Sequence, residues 1–458
     1  MIERIHMPER PASERKNDFL EVNKGYTQEQ AINEASRCIQ CKNPLCVSGC
    51  PVEINIPGFI KAIAQNNPDL AIKVLKEKNN LAGVCGRVCP QEEQCELKCI
   101  LSKKSKSVAI GNLERYTADW AMDSSITQNQ DVKNNGKKVA VIGSGPAGLT
   151  CAGDLAKEGF AVTVFESLHL AGGVLRYGIP QFRLPPKVLN TEITNLEKSG
   201  VKIELNCLVG RTIPLMELFS QGFNAIFVGT GAGLPKFFNI SGENLNHIYS
   251  ANEFLVRVNL MNAFSFPKYD TPIYSGKTVA VFGGGNTAMD SARTALRLGA
   301  QKVYLIYRRS QDEMPARAEE AKHAQEEGVI FTMLTNPIKF IGDEAGKVSA
   351  VECVKMELTE PDESGRRKPR TIEGSNFQIE IDMAVIAIGL GPNPLLPSQT
   401  ANLKTDKYGH LIIDETAMTS IPGVFAGGDI VGGETVIQAM GMGKRAARSI
   451  IEYIKSSS

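Results

Sequence analysis

Residues 139–148 read VAVIGSGPAG, an apolar run that passes directly into a glycine-rich turn. The run predicts a strand over 138–142, and the residues after the turn predict a helix over 149–158. A strand, a glycine turn and a helix in this order begin a nucleotide-binding α/β unit with a parallel sheet. The sequence therefore predicts that an α/β fold begins near residue 138.

The turn carries the fingerprint G-x-G-x-x-G of a dinucleotide site. Its glycines permit a tight turn, a close approach of the backbone to a pyrophosphate, and close packing of helix on strand. A second strand is predicted over 161–165, and the acid that follows it can accept hydrogen bonds from a ribose diol. A glycine turn without a ligand is the alternative, which this context disfavours. We expect FAD to be bound by Gly143, Gly145, Pro146, Ala147, Gly148 and Glu166.

Residues 278–290, TVAVFGGGNTAMD, repeat the pattern with a turn that fits G-x-G-x-x-A. Aligning the two units places Phe165-Glu166 over Tyr307-Arg308, so that a base replaces the acid. An arginine pair binds a 2′-phosphate through charge-assisted hydrogen bonds, whereas a carboxylate repels it. A solvated arginine pair is the less favoured alternative. We expect NADPH rather than NADH to be bound by Gly283, Gly285, Asn286, Thr287, Ala288, Arg308, Arg309 and, as a third phosphate contact, Arg317.

Two dinucleotide sites in one chain predict hydride transfer from a nicotinamide to a flavin. The order of the motifs indicates an NADPH domain inserted into an FAD domain, with crossings at 228–231 (VGTG) and near Gly389. This order resembles the glutathione- and thioredoxin-reductase superfamily, in which Asp429 of FAGGD would contact the flavin's ribityl or phosphate region. We assign no catalytic acid or base, because the cofactors carry the chemistry. The cysteine pair that disulfide reductases place beside the flavin is missing after Glu166.

Eight of the eleven cysteines lie between Cys38 and Cys99. The N-terminus has no apolar export signal, so we expect a reducing, cytoplasmic location, where a dense cysteine block indicates a metal site rather than disulfides. The run Cys-x2-Cys-x4-Cys-x3-Cys-Pro is typical of ferredoxin-like clusters, although zinc also binds thiolates. The redox flavin predicted in the same chain favours two [4Fe–4S] clusters.

These features predict a mainly α-helical iron–sulfur domain followed by two Rossmann-like domains of the glutathione-reductase type. We expect helices over 27–38 and 57–78, a polar linker over 124–138 (SSITQNQDVKNNGKK) and a charged surface loop at 357–375. The predicted boundaries are 1–128 for the iron–sulfur domain, 129–240 and 389–458 for the two parts of the FAD domain, and 241–388 for the NADPH domain.

Four segments resemble the small (β) subunit of NADPH-dependent glutamate synthase. The same module is similar to the N-terminal half of dihydropyrimidine dehydrogenase and to the large subunit of NADH-dependent ferredoxin:NADP oxidoreductase. The resemblance spans nearly the whole chain, and its cysteine and GIPxFRLP motifs are specific to this group. The segments are NDFLEVNKGYTQEQAINEASRCIQCKNPLCVSGCPVEINIPGFI (17–60), CGRVCPQEEQCE (85–96), VAIGNLERYTADW (108–120) and GGVLRYGIPQFRLP (172–185).

The resemblance implies ligands for each cluster. One cluster would be held by Cys38, Cys41, Cys46 and Cys99, and the other by Cys50, Cys89, Cys95 and Glu114. Cys85 is the alternative to Glu114 as the fourth ligand.

Further FAD contacts are expected where residues match the family. Val209 would end a strand over 202–209 and lie at the adenine, and the alternative for Arg183 is a surface loop arginine. The expected contacts are Gly173, Val174, Arg183, Val209, Gly428, Asp429 and Thr435.

In this family the subunit oxidises NADPH at FAD and passes single electrons through the clusters to a large subunit. That subunit carries FMN and uses glutamine and 2-oxoglutarate. We therefore expect an NADPH-dependent oxidoreductase in glutamate biosynthesis. The alternatives are a subunit of a ferredoxin:NADP oxidoreductase (transhydrogenase) or sulfide dehydrogenase with a ferredoxin-type partner, a subunit of a pyrimidine-reducing enzyme, and, from another class, a zinc- and nucleotide-binding scaffold.

The charge balance and the lengths of the apolar runs argue against nucleic acid and a membrane as partners. The chain has 51 Lys+Arg against 50 Asp+Glu, a net charge of +1. A protein that binds nucleic acid would need a basic stripe, and a membrane helix would need roughly 18–20 apolar residues in a row. We expect neither nucleic acid nor membrane as a partner.

Overall fold

The structure is a computed structural model that describes residues 3–124, 132–361, 365, 367–433 and 435–456. Residues 125–131, in the middle of the predicted linker over 124–138, therefore lie outside the described residues. The chain forms three units. A helical unit comes first, and a Rossmann unit with the first fingerprint follows it. The second Rossmann unit is inserted into the first.

Short helices build the N-terminal unit, and local signals set their ends. The helices are α1 (Ala12–Arg15), α2 (Gln28–Ala35), α3 (Leu45–Ser48), α4 (Ile56–Ala64), α5 (Pro68–Lys78), α6 (Ala82–Val88) and α7 (Ile110–Asp123). A capping box begins α2, because the side chains of Thr27 and Gln30 each accept the other's amide hydrogen. The single helix predicted over 57–78 is wrong. Asn66 is left-handed with φ 54°, and Pro68, which has no amide to donate, starts a second helix.

The first Rossmann unit is a five-stranded parallel sheet in the order β16-β4-β1-β2-β3. Its elements are β1 (Lys138–Ile142), α8 (Pro146–Lys157), β2 (Ala161–Phe165), α9 (Val174–Tyr177), α10 (Pro186–Lys198), β3 (Lys202–Glu204), α11 (Glu217–Ser220), β4 (Ala225–Val228), α15 (Leu395–Ser398), β16 (Val424–Ala426) and α16 (Val436–Ser456). The strand predicted over 202–209 is too long. The left-handed Asn206 follows β3, and Val209 lies in an isolated bridge with Ile213.

The second Rossmann unit repeats this sheet in the parallel order β6-β14-β7-β8-β9 and adds an antiparallel sheet. A two-stranded antiparallel sheet of β5 (Ala232–Pro235) and β15 (Leu390–Pro392) joins the two Rossmann units. Between β5 and β15 come β6 (Ile248–Ser250), α12 (Ala251–Leu255), β7 (Thr278–Phe282), α13 (Asn286–Arg297), β8 (Lys302–Ile306), α14 (Ala318–Glu327), β9 (Ile330–Thr332), β10 (Thr335–Gly342), β11 (Val348–Pro361), β12 (Arg367–Thr371), β13 (Phe377–Glu380) and β14 (Met383–Ile386).

The prediction of a loop at 357–375 is wrong over most of its length. β11 continues to Pro361 and pairs antiparallel with β12, so the charged residues alternate along a hairpin rather than forming a loop. Residues 362–364 and 366 lie outside the described residues.

The N-terminal segment packs against the second Rossmann unit, although the two are far apart in sequence. Phe19 stacks on Phe264 with ring centroids 4.5 Å apart. The buried guanidinium of Arg15 pairs with Glu326 at 2.6 Å and with Glu327 at 3.0 Å, both on α14. The helical unit also shares one apolar core with the first Rossmann unit. These contacts link all three units.

Among the described residues, every helix is too short or too polar to cross a lipid bilayer.

Candidate functional site

The first fingerprint opens into a cavity of about 300 Å³ at the carboxyl ends of β1 and β2. Gly145 faces open space, since a Cβ built there would meet no atom within 4 Å. A cofactor backbone can therefore approach the chain closely at this point. Of the predicted FAD contacts, the cavity wall contains Gly143, Gly145, Pro146, Ala147, Glu166, Gly173, Val174, Val209, Gly428 and Asp429.

The buried carboxylate of Glu166 shapes the wall of this cavity. It accepts the amides of Ser144 and Leu168, both at 2.9 Å, and the Ser144 hydroxyl. That hydroxyl oxygen in turn accepts the amide of Gly172 at 2.8 Å. The glycine-turn pattern contains Ser144 only as an unspecified position, so no sequence motif selects it.

Asp429 lies in the wall of the same cavity, at the start of a short 3-10 helix, and is partly buried. Burial raises the pKa of its carboxyl to about 6. A buried acceptor of this kind requires hydrogen-bond donors, and the hydroxyl groups of a ribityl chain would supply them. With the open space at Gly145, this fits FAD.

The second fingerprint opens into a separate cavity of about 580 Å³. Its wall contains the predicted Gly283, Gly285, Thr287, Arg308, Arg309 and Gly389. Asn286 and Ala288 lie behind it: the Asn286 Oδ1 accepts the amide of Arg317 at 3.0 Å, and Ala288 is fully buried. Arg308 is exposed at the wall, whereas Arg309 is buried and its Nε donates to the Arg367 carbonyl at 2.8 Å.

The alignment of Glu166 with Arg308 is wrong by one residue. Ile142 pairs with Phe165, and Phe282 pairs with Ile306, so the residue equivalent to Glu166 is Tyr307. The second unit has one more residue between its helix and its second strand, which shifts the strand end. Arg308 comes one position later but still lines the cavity.

Two predicted cofactor contacts have other partners. The Arg183 guanidinium is buried, pairs with Asp290 at 2.7 Å and Glu320 at 2.9 Å, and is not part of the wall of the first cavity. The alternative for this residue, a surface loop arginine, is therefore wrong. Arg317 is likewise not part of the second cavity's wall. Its guanidinium pairs with Glu92 at 3.2 Å and donates to the Arg87 carbonyl at 3.1 Å.

Thr435 lies just before α16, where its hydroxyl oxygen accepts the amide of Gln438 at 3.3 Å. It is absent from the described wall of the first cavity. The structure therefore gives Thr435 a helix-capping contact beside the predicted FAD site.

The first group of cysteines converges on one small cavity beside α3 and α4. Cys38, Cys41, Cys46 and Cys99 line it together, with apolar side chains around them. Burial and the neighbouring Cys38 and Cys99 raise the pKa of the Cys46 thiol to about 11. Deprotonated thiolates this close repel one another, and a bound cation would offset that repulsion, as at a metal centre.

The second group of cysteines is more deeply buried, at the junction of α6 and α7. Burial and the neighbouring Glu114 raise the pKa of Cys50 to about 11, and burial raises that of Glu114 to about 8. A hydrogen bond with Cys85, together with burial, raises the pKa of Cys89. Burial and the nearby Glu114 also raise that of Cys95. Both candidates for the fourth ligand, Glu114 and Cys85, thus lie beside the other three residues.

The donor atoms of both cysteine groups fit an iron–sulfur cluster. Soft thiolates are the ligands that such clusters take, and zinc also binds them. The thiolate-rich groups are therefore suitable cluster sites by their chemistry.

Helix α16 connects the first cavity with the second cysteine group. Ala439 lines the cavity, and the sulfur of the next residue, Met440, lies 3.4 Å from the Cys85 sulfur. One residue later, Gly441 packs so tightly on Pro51 that a Cβ would lie 2.8 Å from its carbonyl oxygen. The candidate flavin site and the candidate cluster site thus share one rigid element.

Comparison with known proteins gives two family models that match the chain. Residues 15–126 match dihydropyrimidine dehydrogenase domain II, 4Fe–4S cluster, and residues 137–443 match pyridine nucleotide-disulphide oxidoreductase. The glutamate synthase [NADPH] small chain of Escherichia coli (strain K12) is 36% identical over 463 residues, which cover 99% of this chain and 98% of the relative. The chain belongs to the glutamate synthase small-chain family.

Other relatives of this small-chain family member belong to different enzymes. The NADP(+)-dependent formate dehydrogenase subunit beta of Moorella thermoacetica is 38% identical over 90% of this chain and 60% of the relative. The solved structure of FprA from Mycobacterium tuberculosis in complex with NADPH has a TM-score of 0.59 at 20% identity, over 70% of this chain and 85% of FprA. The latter likeness shows the fold alone.

The family and the two matched models establish the class of this small-chain protein. It is an NADPH-dependent oxidoreductase, an iron–sulfur flavoprotein that uses FAD, NADPH and [4Fe–4S] chemistry. As in the reductase-like fold, the hydride is carried by the nucleotide cofactors, and the protein binds and orients them. The relatives are named as a small chain and as a subunit, so they are components of multi-subunit enzymes.

Proposed function

We propose that this chain is the small subunit of an NADPH-dependent glutamate synthase. It would oxidise NADPH at the site of Arg308 and Arg309, hold FAD at the site of Glu166 and Asp429, and hold two [4Fe–4S] clusters. Bound FAD accepts a hydride from NADPH, and iron–sulfur clusters carry single electrons onward. The electrons would leave for a larger subunit that carries FMN and uses glutamine and 2-oxoglutarate.

The observation that carries this proposal is a residue shared by the two cavities. Asn252, at the start of α12, lines both the cavity of the first fingerprint and that of the second. Its side-chain amide donates to the Gly233 carbonyl at 3.1 Å, which fixes it on β5, in the two-stranded sheet between the units. A nicotinamide ring that reaches Asn252 from the second cavity would therefore meet a flavin that occupies the first. The sequence carries no motif for this residue.

The route out would run through the two cysteine groups in order of burial. α16 joins the flavin cavity to the buried group of Cys50, Cys89 and Cys95. Burial and the nearby Cys50 and Cys46 raise the pKa of Cys95, so the two groups are neighbours. The other group, Cys38, Cys41, Cys46 and Cys99, is only partly buried. This order places the accessible group last, where a partner subunit can receive electrons.

A serine at Cys41 tests the proposed division of labour. Cys41→Ser should damage the accessible cluster and stop electron transfer to a protein partner. Reduction of FAD by NADPH should continue, because that step lies in the Rossmann units. Stopped-flow absorbance of the flavin band measures it, with Cys353→Ser as a control that lies outside both cysteine groups and both nucleotide cavities. Loss of bleaching in a folded, FAD-loaded Cys41→Ser protein would contradict the proposal.

Glutamate formation tests the proposed partner. With a glutamate synthase large subunit, glutamine and 2-oxoglutarate, the chain should support NADPH-dependent glutamate formation. The formate dehydrogenase relative shows that similar chains serve other NADP-dependent enzymes. The second candidate is therefore the sequence-based alternative, a subunit that exchanges electrons with a ferredoxin-type partner. Failure to form glutamate, together with co-purification of a small iron–sulfur protein, would favour that candidate.

A further inference from the structure

An exposed surface surrounds the partly buried cysteine group. Four apolar side chains on it are unusually open: Ile39 at 59% exposure, Leu45 at 53%, Leu97 at 59% and Ile100 at 45%. Three of these residues, Ile39, Leu45 and Ile100, line the same small cavity as the four cysteines. Exposed apolar side chains gathered at one place mark a contact site more often than scattered ones do.

The same surface carries a strictly positive charge pattern. The segments 36–48 and 97–107 form it, and they contain no Asp or Glu. Their five exposed lysines take part in none of the ion pairs recorded for the described residues. A chain with a net charge of only +1 therefore concentrates positive charge around one group of cysteines. These lysines are Lys42, Lys98, Lys103, Lys104 and Lys106.

We propose that this surface, which we name the lysine rim, docks the electron-transfer partner, and that the partner presents an acidic surface with an apolar centre. The inference rests on the proposed function, because it assigns the cysteine group beneath the rim as the last cluster. An apolar centre excludes water and a charged rim steers the encounter, which is the usual division in protein interfaces. The chemistry of the rim thus selects a negatively charged carrier over a neutral or basic one.

Charge reversal at the distal lysines tests the lysine rim without touching a cluster ligand. The variant is Lys103→Glu with Lys104→Glu and Lys106→Glu, and the matched control is Lys268→Glu with Lys347→Glu and Lys407→Glu, which are exposed elsewhere. The probe is photoreduced plant-type [2Fe–2S] ferredoxin, an acidic one-electron carrier. Two reduced ferredoxins, one NADP+ and one proton give two oxidised ferredoxins and one NADPH, measured at 340 nm.

We expect the rim variant to lose at least about tenfold in second-order rate at low ionic strength, since steering changes association rates by 10- to 1,000-fold. The loss should shrink in 0.5 M salt, because the charges are then screened. The control should behave like the wild type, and all three proteins should keep the same FAD, iron content and rate of flavin bleaching by NADPH. Leu97→Gln should slow the transfer equally at low and high salt.

Three results would overturn the lysine rim as a docking surface. The first is an equal transfer rate for the rim variant and the control. The second is no electron transfer between ferredoxin and the wild type at any ionic strength. The third is a wild-type dimer that becomes a monomer in the rim variant while the transfer rate is unchanged. Glutamate formation with the large subunit reports separately on the proposed function. Absence of glutamate with ferredoxin transfer intact would contradict the glutamate synthase partner and leave the docking surface supported.

Discussion

The two Rossmann units share one strand order around their glycine turns, β4-β1-β2-β3 and β14-β7-β8-β9, but close the turns with different chemistry. In the first unit, the carboxylate of Glu166 accepts the amide and hydroxyl of Ser144. In the second unit, the ring of Tyr307 packs on Gly284 so closely that a Cβ built there would lie 2.6 Å from the ring. The Tyr307 hydroxyl donates to the Glu313 carbonyl. A carboxylate is thus absent from the second turn, where a 2′-phosphate is expected, and present in the first, where a ribose diol is expected.

Two positions differ together between the units. Serine faces glutamate in one unit, and glycine faces tyrosine in the other, at equivalent places of the two sheets. Exchange of one member alone leaves a buried polar group unpaired or two groups in the same space. We therefore expect the two positions of each pair to depend on each other.

The largest effect is expected at Gly148, where helix and strand of the first unit touch. A Cβ there would lie 2.0 Å from the Gly143 carbonyl oxygen, so Gly148→Ala must push α8 away from β1. We expect a loss of about 3 kcal/mol in unfolding free energy and loss of bound FAD. Thermal unfolding and flavin content after purification measure this.

The position in the second unit that corresponds to Gly148 is Ala288, and Ala288→Gly should lower the unfolding free energy by only about 1 kcal/mol. Equal retention of FAD by Gly148→Ala and wild type would contradict the close contact.

A smaller effect is expected where the two turns differ. Gly284→Ser places a side chain against the Tyr307 ring and should weaken NADP+ binding by about 1–3 kcal/mol, with FAD content unchanged. Calorimetric titration with NADP+ measures the affinity. Addition of Tyr307→Ala to Gly284→Ser should recover most of it, because the ring is then gone. If the double variant binds no better than the single one, the ring contact is not the cause.

We expect the loss of the Arg317 side chain to disturb the loop around Cys89 more than it weakens nucleotide binding. Its guanidinium donates to the Arg87 carbonyl, to Gln91 and to Glu92, on both sides of Cys89. Arg317→Ala should therefore broaden the EPR signals of the reduced clusters and lower the unfolding free energy by about 1–2 kcal/mol. NADP+ affinity should stay within about twofold of the wild type. A large loss of NADP+ affinity with unchanged EPR signals would restore the sequence prediction of a phosphate contact.

The smallest effect is expected from the pH dependence of FAD binding. Burial raises the pKa of Asp429 to about 6, so its carboxyl is ionised above pH 6 and protonated below it. Hydroxyl donors bind a carboxylate more tightly than a carboxylic acid, and FAD affinity should fall by about 1 kcal/mol as the pH falls from 8 to 5. Fluorescence titration of the apoprotein measures this. Asp429→Asn should remove the pH dependence, and an unchanged profile in that variant would exclude Asp429 as its source.

Sequence patterns predicted the parts of the fold that rest on local chemistry. β1, β2 and the two fingerprint helices follow from apolar runs and glycine spacing. The grouping of Cys38, Cys41, Cys46 and Cys99, which line one cavity, came from the family resemblance and not from their spacing. The break at Asn66 was missed, because a left-handed residue followed by Pro68 outweighs helical periodicity.

Contacts between distant segments could not be predicted in this way. Arg183 and Arg317 resemble phosphate or flavin ligands in sequence, yet each is held by acids that only the folded chain brings near. Asn252 and Met440 carry no motif, and their positions at the shared wall and beside Cys85 follow from the packing of whole units. The register of Tyr307 depended on one extra loop residue, which no residue pattern marks.

The affinity of the second cavity for a 2′-phosphate decides whether that cavity is the NADPH site. Calorimetric titration of the FAD-loaded protein with adenosine 2′,5′-bisphosphate and with adenosine 5′-monophosphate isolates that group from the nicotinamide. The wild type should prefer the bisphosphate, and Arg308→Ala with Arg309→Ala should weaken it by about 2–4 kcal/mol through two lost charge-assisted contacts while affinity for the monophosphate and FAD content stay unchanged. Equal losses for both ligands, or no preference in the wild type, would contradict the assignment of the second site to NADPH.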